Sequence, residues 1–307
     1  MSFSDEVKHE LTRIKSFQLA EIAALIRMEG SIRIINKKLS IKIKIYQGDL
    51  ARRIFSLIKE KFNLKMEIRV RQVDYFNKNH IYELIVVPQK NIRNFLIELG
   101  FLDDSNNIIF RIKKEFIEDE DYARAYLRGA FLGGGSINDP HGQYHLEIRC
   151  THKSHAEDLL LLLDKFDLNG HINEHNSREV VYFKSYDEII KFLNLIGAKN
   201  AQLKMENIHI LKDVKNKVNR KVNAETANLD KTVEAAMKQL ENIQLIEKHK
   251  GLINLSESLQ EIAILRKENP YASLKELGEM LDPPLTKSGV NHRMRRLKKI
   301  AEEIKKK

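Results

Sequence analysis

The side chains with the clearest potential for chemistry lie in the last 21 residues of the chain. Residues 287–307 hold nine Lys or Arg against two Glu, a net charge of +7 within a total of +10. Asn and Arg can make paired hydrogen bonds to adenine and guanine edges in the major groove, and flanking Lys or Arg suit phosphate contacts. On charge alone, a solvated basic tail is the alternative. The candidate DNA-binding residues are Lys287, Ser288, Asn291, His292, Arg293, Arg295, Arg296 and Lys299.

Such side chains must project from a helix whose other side is buried. Val290, Met294, Leu297 and Ala301 have the i, i+4, i+7, i+11 spacing of one buried helical face. The pattern therefore predicts a final helix that begins between residues 286 and 288 and presents its basic side chains to the outside.

Two shorter helices are expected before the basic one. The first is predicted over residues 255–267. Ser273 and Glu276 then have the spacing of a capping box, which opens a short helix. Asp282-Pro-Pro284 must end that helix, because proline supplies no amide donor and disfavours helix before it. A short helix, a turn and a basic helix follow in the order of a helix-turn-helix reader of DNA.

The first two-thirds of the chain contain an internal repeat. Residues 22–32 and 127–137 look alike, since each is an apolar helix that ends at glycine and is followed by Ser-Ile. The pattern after each copy predicts a hairpin, a helix, a second hairpin and a helix, so that the unit is αββαββα, used twice. Small residues in both glycine-ended helices predict that these helices pack closely at a pseudo-twofold interface: Ala23, Ala24, Gly129 and Ala130.

The repeat resembles the LAGLIDADG homing-endonuclease fold, with copies at about residues 15–100 and 120–198. The resemblance implies that an acid at the end of each helix holds divalent metal for phosphodiester hydrolysis in active members. The matching positions in this chain are Glu29 and Gly134. One carboxylate facing a glycine is a poor substitute for the several oxygen ligands that two-metal hydrolysis needs. We therefore expect a scaffold without nuclease activity, with no metal and no cofactor.

A non-catalytic scaffold of this fold can still bind DNA, because the exposed face of its sheets lies along the duplex. Alternation along the first two hairpins predicts a basic outer face made of Lys42, Lys44, Arg69 and Arg71. The same alternation turns the intervening apolar side chains inward: Ile41, Ile43, Ile45, Met66, Ile68 and Val70. The second copy offers Glu147 and Arg149 at the corresponding strand and no basic stripe. A solvated charged face and a protein-docking surface are the alternatives.

The predicted organisation has three parts. Residues 1–211 form the LAGLIDADG-like domain, and residues 225–307 form an all-α helix-turn-helix domain that opens with a long amphipathic helix over 225–249. Residues 212–224 are rich in Lys and Asn with little apolar periodicity, which indicates a linker. The fold class is accordingly α+β followed by an all-α domain.

Composition indicates the cellular compartment and excludes an internal disulfide and a Cys-rich zinc site. The single cysteine, Cys150, allows no internal disulfide and no Cys-rich zinc site. No apolar run reaches the roughly 18 residues that a membrane span needs, and the charged start lacks the apolar stretch of a signal peptide. We expect a cytoplasmic protein that associates with the nucleoid and not with membranes.

The combination is similar to the WhiA family of bacterial sporulation and cell-division regulators. The resemblance is carried by Ser2-Phe3-Ser4 with Lys8 and Glu10-Leu11, and by the stretches 128–137, 219–229 and 287–297. Ala224 departs from it, since cysteine is expected there in many relatives. The resemblance implies a regulator that binds double-stranded DNA and influences cell division and chromosome segregation. In spore-forming relatives it implies a WhiB-type iron–sulfur protein or division proteins as partners.

Three functions follow from these observations. A non-catalytic DNA-binding regulator is favoured by the basic C-terminal helix. A division or nucleoid scaffold that acts mainly through protein contacts is the alternative. An active metal-dependent endonuclease is disfavoured by Gly134.

Overall fold

The computed structural model describes residues 2–14, 19–73, 79–175 and 178–306. It divides the chain into two compact units, residues 1–212 (unit 1) and residues 213–307 (unit 2). Within the described residues, no helix is long and apolar enough to cross a membrane.

The first copy of the repeat in unit 1 follows a helix α1 (Phe3–Thr12). It comprises α2 (Leu19–Glu29), β1 (Gly30–Ile35), β2 (Lys38–Ile45), α3 (Gly48–Phe62), β3 (Met66–Val73), β4 (Asn79–Val86) and α4 (Ile92–Glu98). Its four strands form an antiparallel sheet in the order β1-β2-β4-β3. The sequence predicts the turn of the second hairpin at residues 77–79, most of which lies outside the described residues.

The second copy follows a short helix α5 (Lys114–Glu118). It comprises α6 (Glu120–Gly134), β5 (Gly135–Ile137), β6 (Leu146–Cys150), α7 (Lys153–Asp164), β7 (His171–His175), β8 (Arg178–Phe183) and α8 (Tyr186–Ile196). The sheet order β5-β6-β8-β7 repeats that of the first copy. The predicted αββαββα unit, used twice, and the α+β class are confirmed.

Helices α2 and α6 pack against each other, as the small residues predict. A Cβ added at Gly129 would lie 2.4 Å from the carbonyl oxygen of Glu21 and 2.9 Å from Cβ of Ala24. Only glycine therefore permits the observed approach of the two helix backbones. The Glu21 side chain is fully buried at this interface, where its carboxylate accepts a hydrogen bond from Arg128 at 2.9 Å and lies 3.3 Å from Arg53.

Helix α9 (Lys199–His249) contradicts the prediction of a linker at residues 212–224. These residues are helical, and the boundary between the two units falls inside the helix. The helix therefore begins at Lys199 and not near residue 225. The physical reason is that no glycine or proline occurs between Gly197 and Gly251, while Lys, Arg, Ala and Leu are good helix formers.

Unit 2 contains the end of α9, a 3₁₀ turn (Leu252–Asn254), α10 (Glu257–Glu268), α11 (Leu274–Glu279) and α12 (Lys287–Lys305). The amphipathic pattern predicted over residues 225–249 places Leu229, Ala236 and Ile243 on one face of the helix. Ala236 and Ile243 are buried, but Leu229 is 64% exposed. The core of this unit joins α9 to the three following helices through Ile243, Ile246, Leu259, Ile262, Leu277, Val290, Met294, Leu297 and Ala301.

Candidate nucleic-acid interface

Helix caps fix where the helices of the C-terminal reader begin. The predicted capping box is present: the Ser273 amide donates to the Glu276 carboxylate at 2.7 Å, and the Glu276 amide donates to the Ser273 hydroxyl at 3.3 Å. Helix α12 begins at Lys287, because the hydroxyl of Thr286 accepts a hydrogen bond from the amide of Gly289 at 3.3 Å. Both caps satisfy amides that would otherwise lack partners in the first turn.

The turn between α11 and α12 closes directly onto Gly278. The Leu285 amide donates to the Gly278 carbonyl at 2.9 Å. A Cβ at Gly278 would lie 2.2 Å from the Leu285 carbonyl oxygen, closer than any side chain allows. This contact sets the position of α12 against α11.

Helix α12 has the two faces that the sequence predicts. Val290, Met294, Leu297 and Ala301 are buried against the other helices of unit 2. Six of the predicted DNA-binding residues are exposed, and Asn291 is half-buried on the edge of the same face. The exposed residues are Lys287, Ser288, His292, Arg295, Arg296 and Lys299.

Arg293 differs from the other candidates, because it is turned toward α10. Its guanidinium donates to the Ser258 carbonyl at 3.2 Å and to the Glu261 carboxylate at 3.0 Å. Only 22% of its side chain is exposed. In this structure Arg293 therefore holds α12 against α10, and its contact with DNA stays a prediction.

A buried arginine that the sequence analysis missed supports the same unit. Arg266 on α10 is 1% exposed and donates to the carbonyls of Ala272 at 2.5 Å and Asn269 at 3.3 Å. These bonds hold the loop that leads into α11. Burial lowers the pKa of Arg266. A cation in the last turn of a predicted helix reads as a surface residue, so no sequence signal identified this role.

The four predicted cations of the sheet in unit 1 share its outer face. Lys44 and Arg69 both lie opposite Glu83 in the strand register, which places all three side chains on one side of the sheet. Lys44, Arg69 and Arg71 are exposed, whereas Lys42 is largely covered. The predicted basic face is therefore formed with three exposed cations and one covered one.

Two acidic side chains of the sheet pair with three of these four cations and neutralise half of their charge. Lys42 forms an ion pair with the buried carboxylate of Glu83, and Nε of Arg71 lies 3.4 Å from the other oxygen of that carboxylate. Arg69 lies 3.0 Å from Glu67 on its own strand. The hydrogen bond from Lys42 lowers the pKa of Glu83, which keeps the carboxylate charged. The alternation pattern identified the cations but not these partners.

Two apolar residues of β3 point inward, as alternation predicts, but they are not buried. Ile68 and Val70 lie opposite Leu84 and Tyr82 in the register, on the inner side of the sheet, but they are 46% and 54% exposed. Because β3 is an edge strand of the sheet, its inner side extends past the helices that cover β2 and β4.

Glu29, the remaining acid of the helix ends, lies beside cations. It lines a cavity of about 650 Å³ together with Lys8 and Lys44. Burial raises the pKa of Glu29, and the neighbouring charges of Lys8, Arg178 and Lys44 oppose that rise. Burial also lowers the pKa of Lys8. The carboxylate thus has ammonium groups of the protein nearby as counter-charges.

The end of α6 leaves no room for the second acid. A Cβ at Gly134 would lie 2.2 Å from Cε of Met28 and 2.7 Å from the carbonyl oxygen of Arg149. The space that a carboxylate would need is filled by the Met28 side chain and by the backbone of β6. Among the residues that the structure describes, no group of three or more His, Cys, Asp or Glu is arranged to hold a metal ion.

Comparison with known proteins assigns most of the chain to one family. Residues 15–102 match the WhiA N-terminal LAGLIDADG-like domain, residues 123–215 the WhiA LAGLIDADG-like domain, and residues 218–301 the WhiA C-terminal HTH domain. The chain is 59% identical to the "Probable cell division protein WhiA" of Halothermothrix orenii over 99% of both chains. It is 45% identical to the protein of the same description from Alkaliphilus metalliredigens over 98% of both chains.

A solved structure agrees with these sequence relatives. The crystal structure of full-length WhiA from Thermatoga maritima superposes with a TM-score of 0.61 at 28% identity and covers 99% of both chains. The LAGLIDADG-like repeat, the helix-turn-helix and the full-length identity all lead to the same family. The chain belongs to the WhiA family of cell division proteins.

Proposed function

We propose that this protein is a non-catalytic regulator that binds double-stranded DNA and reads its sequence with helix α12. The observation that carries the proposal is the two-sided geometry of α12. One face is fixed in the core of unit 2, and the other exposes Arg and Lys beside the half-buried Asn291. Arg and Asn suit guanine and adenine edges, whereas Lys287, Arg296 and Lys299 suit phosphate oxygens.

The proposal treats the nuclease scaffold as inactive. Glu29 has Lys8 and Lys44 beside it, and Gly134 has no space for an acid. Metal-assisted phosphodiester hydrolysis needs several oxygen ligands around the ions, and one carboxylate with ammonium neighbours is a poor ligand set. We expect no cleavage of DNA in the presence of Mg²⁺.

The proposed biological role is control of transcription or of chromosome behaviour during cell division. Relatives are described as probable cell division proteins. A helix-turn-helix protein must be in the same compartment as the DNA that it binds. The proposed location is therefore the cytoplasm, with the nucleoid. A WhiB-type iron–sulfur protein or division proteins are the partners that the family resemblance suggests.

The proposal can be tested with DNA that the protein itself selects. Full-length protein would be used to enrich duplex fragments from a genomic pool, and affinity for the enriched and for scrambled duplexes would then be measured over a range of salt concentrations. In Asn291→Ala/Arg295→Ala, we expect the preference for the enriched duplex to fall by about 1–3 kcal/mol for each lost base contact. Affinity for scrambled duplex should fall much less.

A matched control removes one cation and one asparagine elsewhere. Lys191→Ala/Asn194→Ala changes one exposed cation and one exposed asparagine on α8 in unit 1, and it should bind like the wild type. If Asn291→Ala/Arg295→Ala and the control show the same preference for the enriched duplex, α12 does not read the sequence. Cleavage in Mg²⁺ that Glu29→Gln abolishes would show that the scaffold is an active nuclease.

A further inference from the structure

The middle of helix α9 is a basic segment for which the fold provides no use. Residues 214–223 belong to unit 2, are helical and are all exposed. They include four cations, Lys215, Lys217, Arg220 and Lys221, and no acid. We call these ten residues the α9 basic segment. At about 1.5 Å of rise per residue, they extend for about 15 Å along the helix.

The four cations of the α9 basic segment are almost unpaired. Among the described residues, the four cations form one ion pair, between Lys221 and Glu225, at 4.0 Å and with both side chains largely exposed. A pair of this kind contributes little to stability. The charge of the segment is therefore available to an external partner, in contrast to that of the sheet in unit 1.

Three asparagines give the segment a polar side. Asn216, Asn219 and Asn223 follow an i, i+3, i+7 spacing, so they lie along one side of the helix, with Arg220 next to them. Asparagine is a weak helix former, and these exposed side chains cap nothing in the helix interior. Their amide groups can donate hydrogen bonds to phosphate oxygens or to sugars.

We propose that the α9 basic segment is a second DNA-binding surface, which contacts the phosphate backbone of the duplex without reading its sequence. The inference rests on the proposed function, since it adds a contact to a protein already taken to bind DNA. The density of cations without acids matches a polyanion. A protein partner would instead dock on the side away from the asparagines, where Val214, Val218 and Val222 are exposed, and the experiment includes that outcome.

The test measures how DNA affinity depends on salt. Full-length protein would be titrated with a duplex at several salt concentrations, because the logarithm of the affinity falls with the logarithm of the salt concentration by about 0.9 for each phosphate neutralised. The test variant replaces the four cations of the α9 basic segment by Gln, which retains good helix propensity. The matched control lowers the net charge equally by replacing four exposed lysines of unit 1 by Gln: Lys90, Lys114, Lys153 and Lys191.

We expect the test variant to have a salt slope that is shallower by about 2 to 4, while the control keeps the slope of the wild type. Circular dichroism should show the same helix content in all three proteins. Equal slopes for the test variant and the wild type would overturn the inference. An equal decrease of the slope in test variant and control would also overturn it, because the effect would then follow net charge alone.

A second variant separates the asparagines from the charges. Asn216→Ala/Asn219→Ala/Asn223→Ala should lower affinity at every salt concentration without changing the slope, since no charge is lost. Alanine strengthens the helix, so a weaker complex cannot result from its unfolding. If Val218→Asp changes the oligomeric state while the Gln and Ala variants bind DNA like the wild type, the segment is a protein-docking surface and the inference is wrong.

The two proposals fail in different ways. If Asn291→Ala/Arg295→Ala loses sequence preference while the α9 variants bind normally, the function assigned to α12 stands and the α9 inference falls. If the α9 variants weaken binding and the α12 variant does not, the inference stands and the reader must be sought elsewhere.

Discussion

The outer face of the sheet in unit 1 and the exposed face of α12 in unit 2 both present cations at regular spacing, but only the second leaves most of them free. On the sheet, Glu83 binds Lys42 and Arg71, and Glu67 lies beside Arg69. On α12 the predicted DNA-binding residues face few acids, and the one that meets an acid, Arg293, does so on the supporting helix. Regular spacing predicts where a cation lies, whereas its neighbours in space decide whether its charge is available.

The largest effect is expected from a substitution that displaces α12 from α11. Gly278→Ala places a Cβ 2.2 Å from the Leu285 carbonyl oxygen, so the turn before α12 must shift, at about 3 kcal/mol. We expect unit 2 to unfold at a lower urea concentration and DNA binding to be lost. The control is Gly289→Ala, where the new Cβ would lie 3.6 Å from Leu285 Cβ and the helix gains up to about 1 kcal/mol. If Gly278→Ala still binds DNA, the binding must come from the sheet of unit 1, and the cations of α12 would not be the more available ones.

The second prediction compares the two surfaces directly. Replacing Arg295, Arg296 and Lys299 by Gln should make the salt slope of DNA binding shallower by about 2 to 3 and lower the affinity about 100-fold in 0.1 M salt. Replacing Lys44, Arg69 and Arg71 by Gln should change the slope by less than about 1, because two of these cations are already paired with acids. Fluorescence anisotropy with a labelled duplex measures both. Equal changes for the two triple variants would show that the sheet binds DNA as strongly as α12.

Removal of the buried acid Glu83 should free cations on the sheet, so that their charge becomes available as it is on α12. In Glu83→Gln, Lys42 loses its partner in a largely covered position, which we expect to lower the free energy of unfolding by about 1–2 kcal/mol. The freed charge should raise the affinity for scrambled duplex a few-fold. Urea denaturation and anisotropy are the two measurements, and Glu67→Gln, at an exposed pair, is the control that should leave stability unchanged. An unchanged stability of Glu83→Gln would mean that the pair does not hold the sheet.

The smallest expected effect is the pH dependence of that ion pair. The pKa of Glu83 is lower in the folded protein than its ordinary value of 4.5, chiefly because Lys42 donates a hydrogen bond to it. The stabilisation is therefore complete above about pH 4.5 and is lost as the pH falls through the lower folded pKa. The stability difference between wild type and Glu83→Gln should be constant from pH 7 to 5 and shrink below that range. A difference that grows with acidity would contradict the assignment.

Much of the fold could be predicted from the sequence, because local patterns repeat. The glycine-ended helices, the hairpins after them and the apolar stripe of α12 each depend on spacing within a short stretch. The linker prediction at residues 212–224 failed because abundant Lys and Asn were taken as signs of a loop. Val214, Val218 and Val222 have helical spacing, but they are exposed. Their spacing therefore indicates a helix but not a buried face.

The candidate site was only half predictable for a different reason. The exposed positions on α12 follow from its buried stripe, so they could be placed from the sequence. The partners of Arg293, Arg266 and Glu83 lie on other elements of the chain, and a single sequence without structure does not bring those elements together. The same holds for Met28, whose side chain fills the space beside Gly134.

The filled space beside Gly134 limits which mutations can restore a second acid there. A single base change that restores an acid there meets Met28 and the backbone of β6, so it disrupts the fold before it can complete a catalytic pair. Cε of Met28 is the flexible end of its side chain and can move aside, but the carbonyl oxygen of Arg149, 2.7 Å from the new Cβ, belongs to the backbone, so a second acid requires a shift of β6 as well as the mutation. For the DNA-binding role proposed above, the chromosome of the cell is thereby protected from a return, by one mutation, to an enzyme that cuts it.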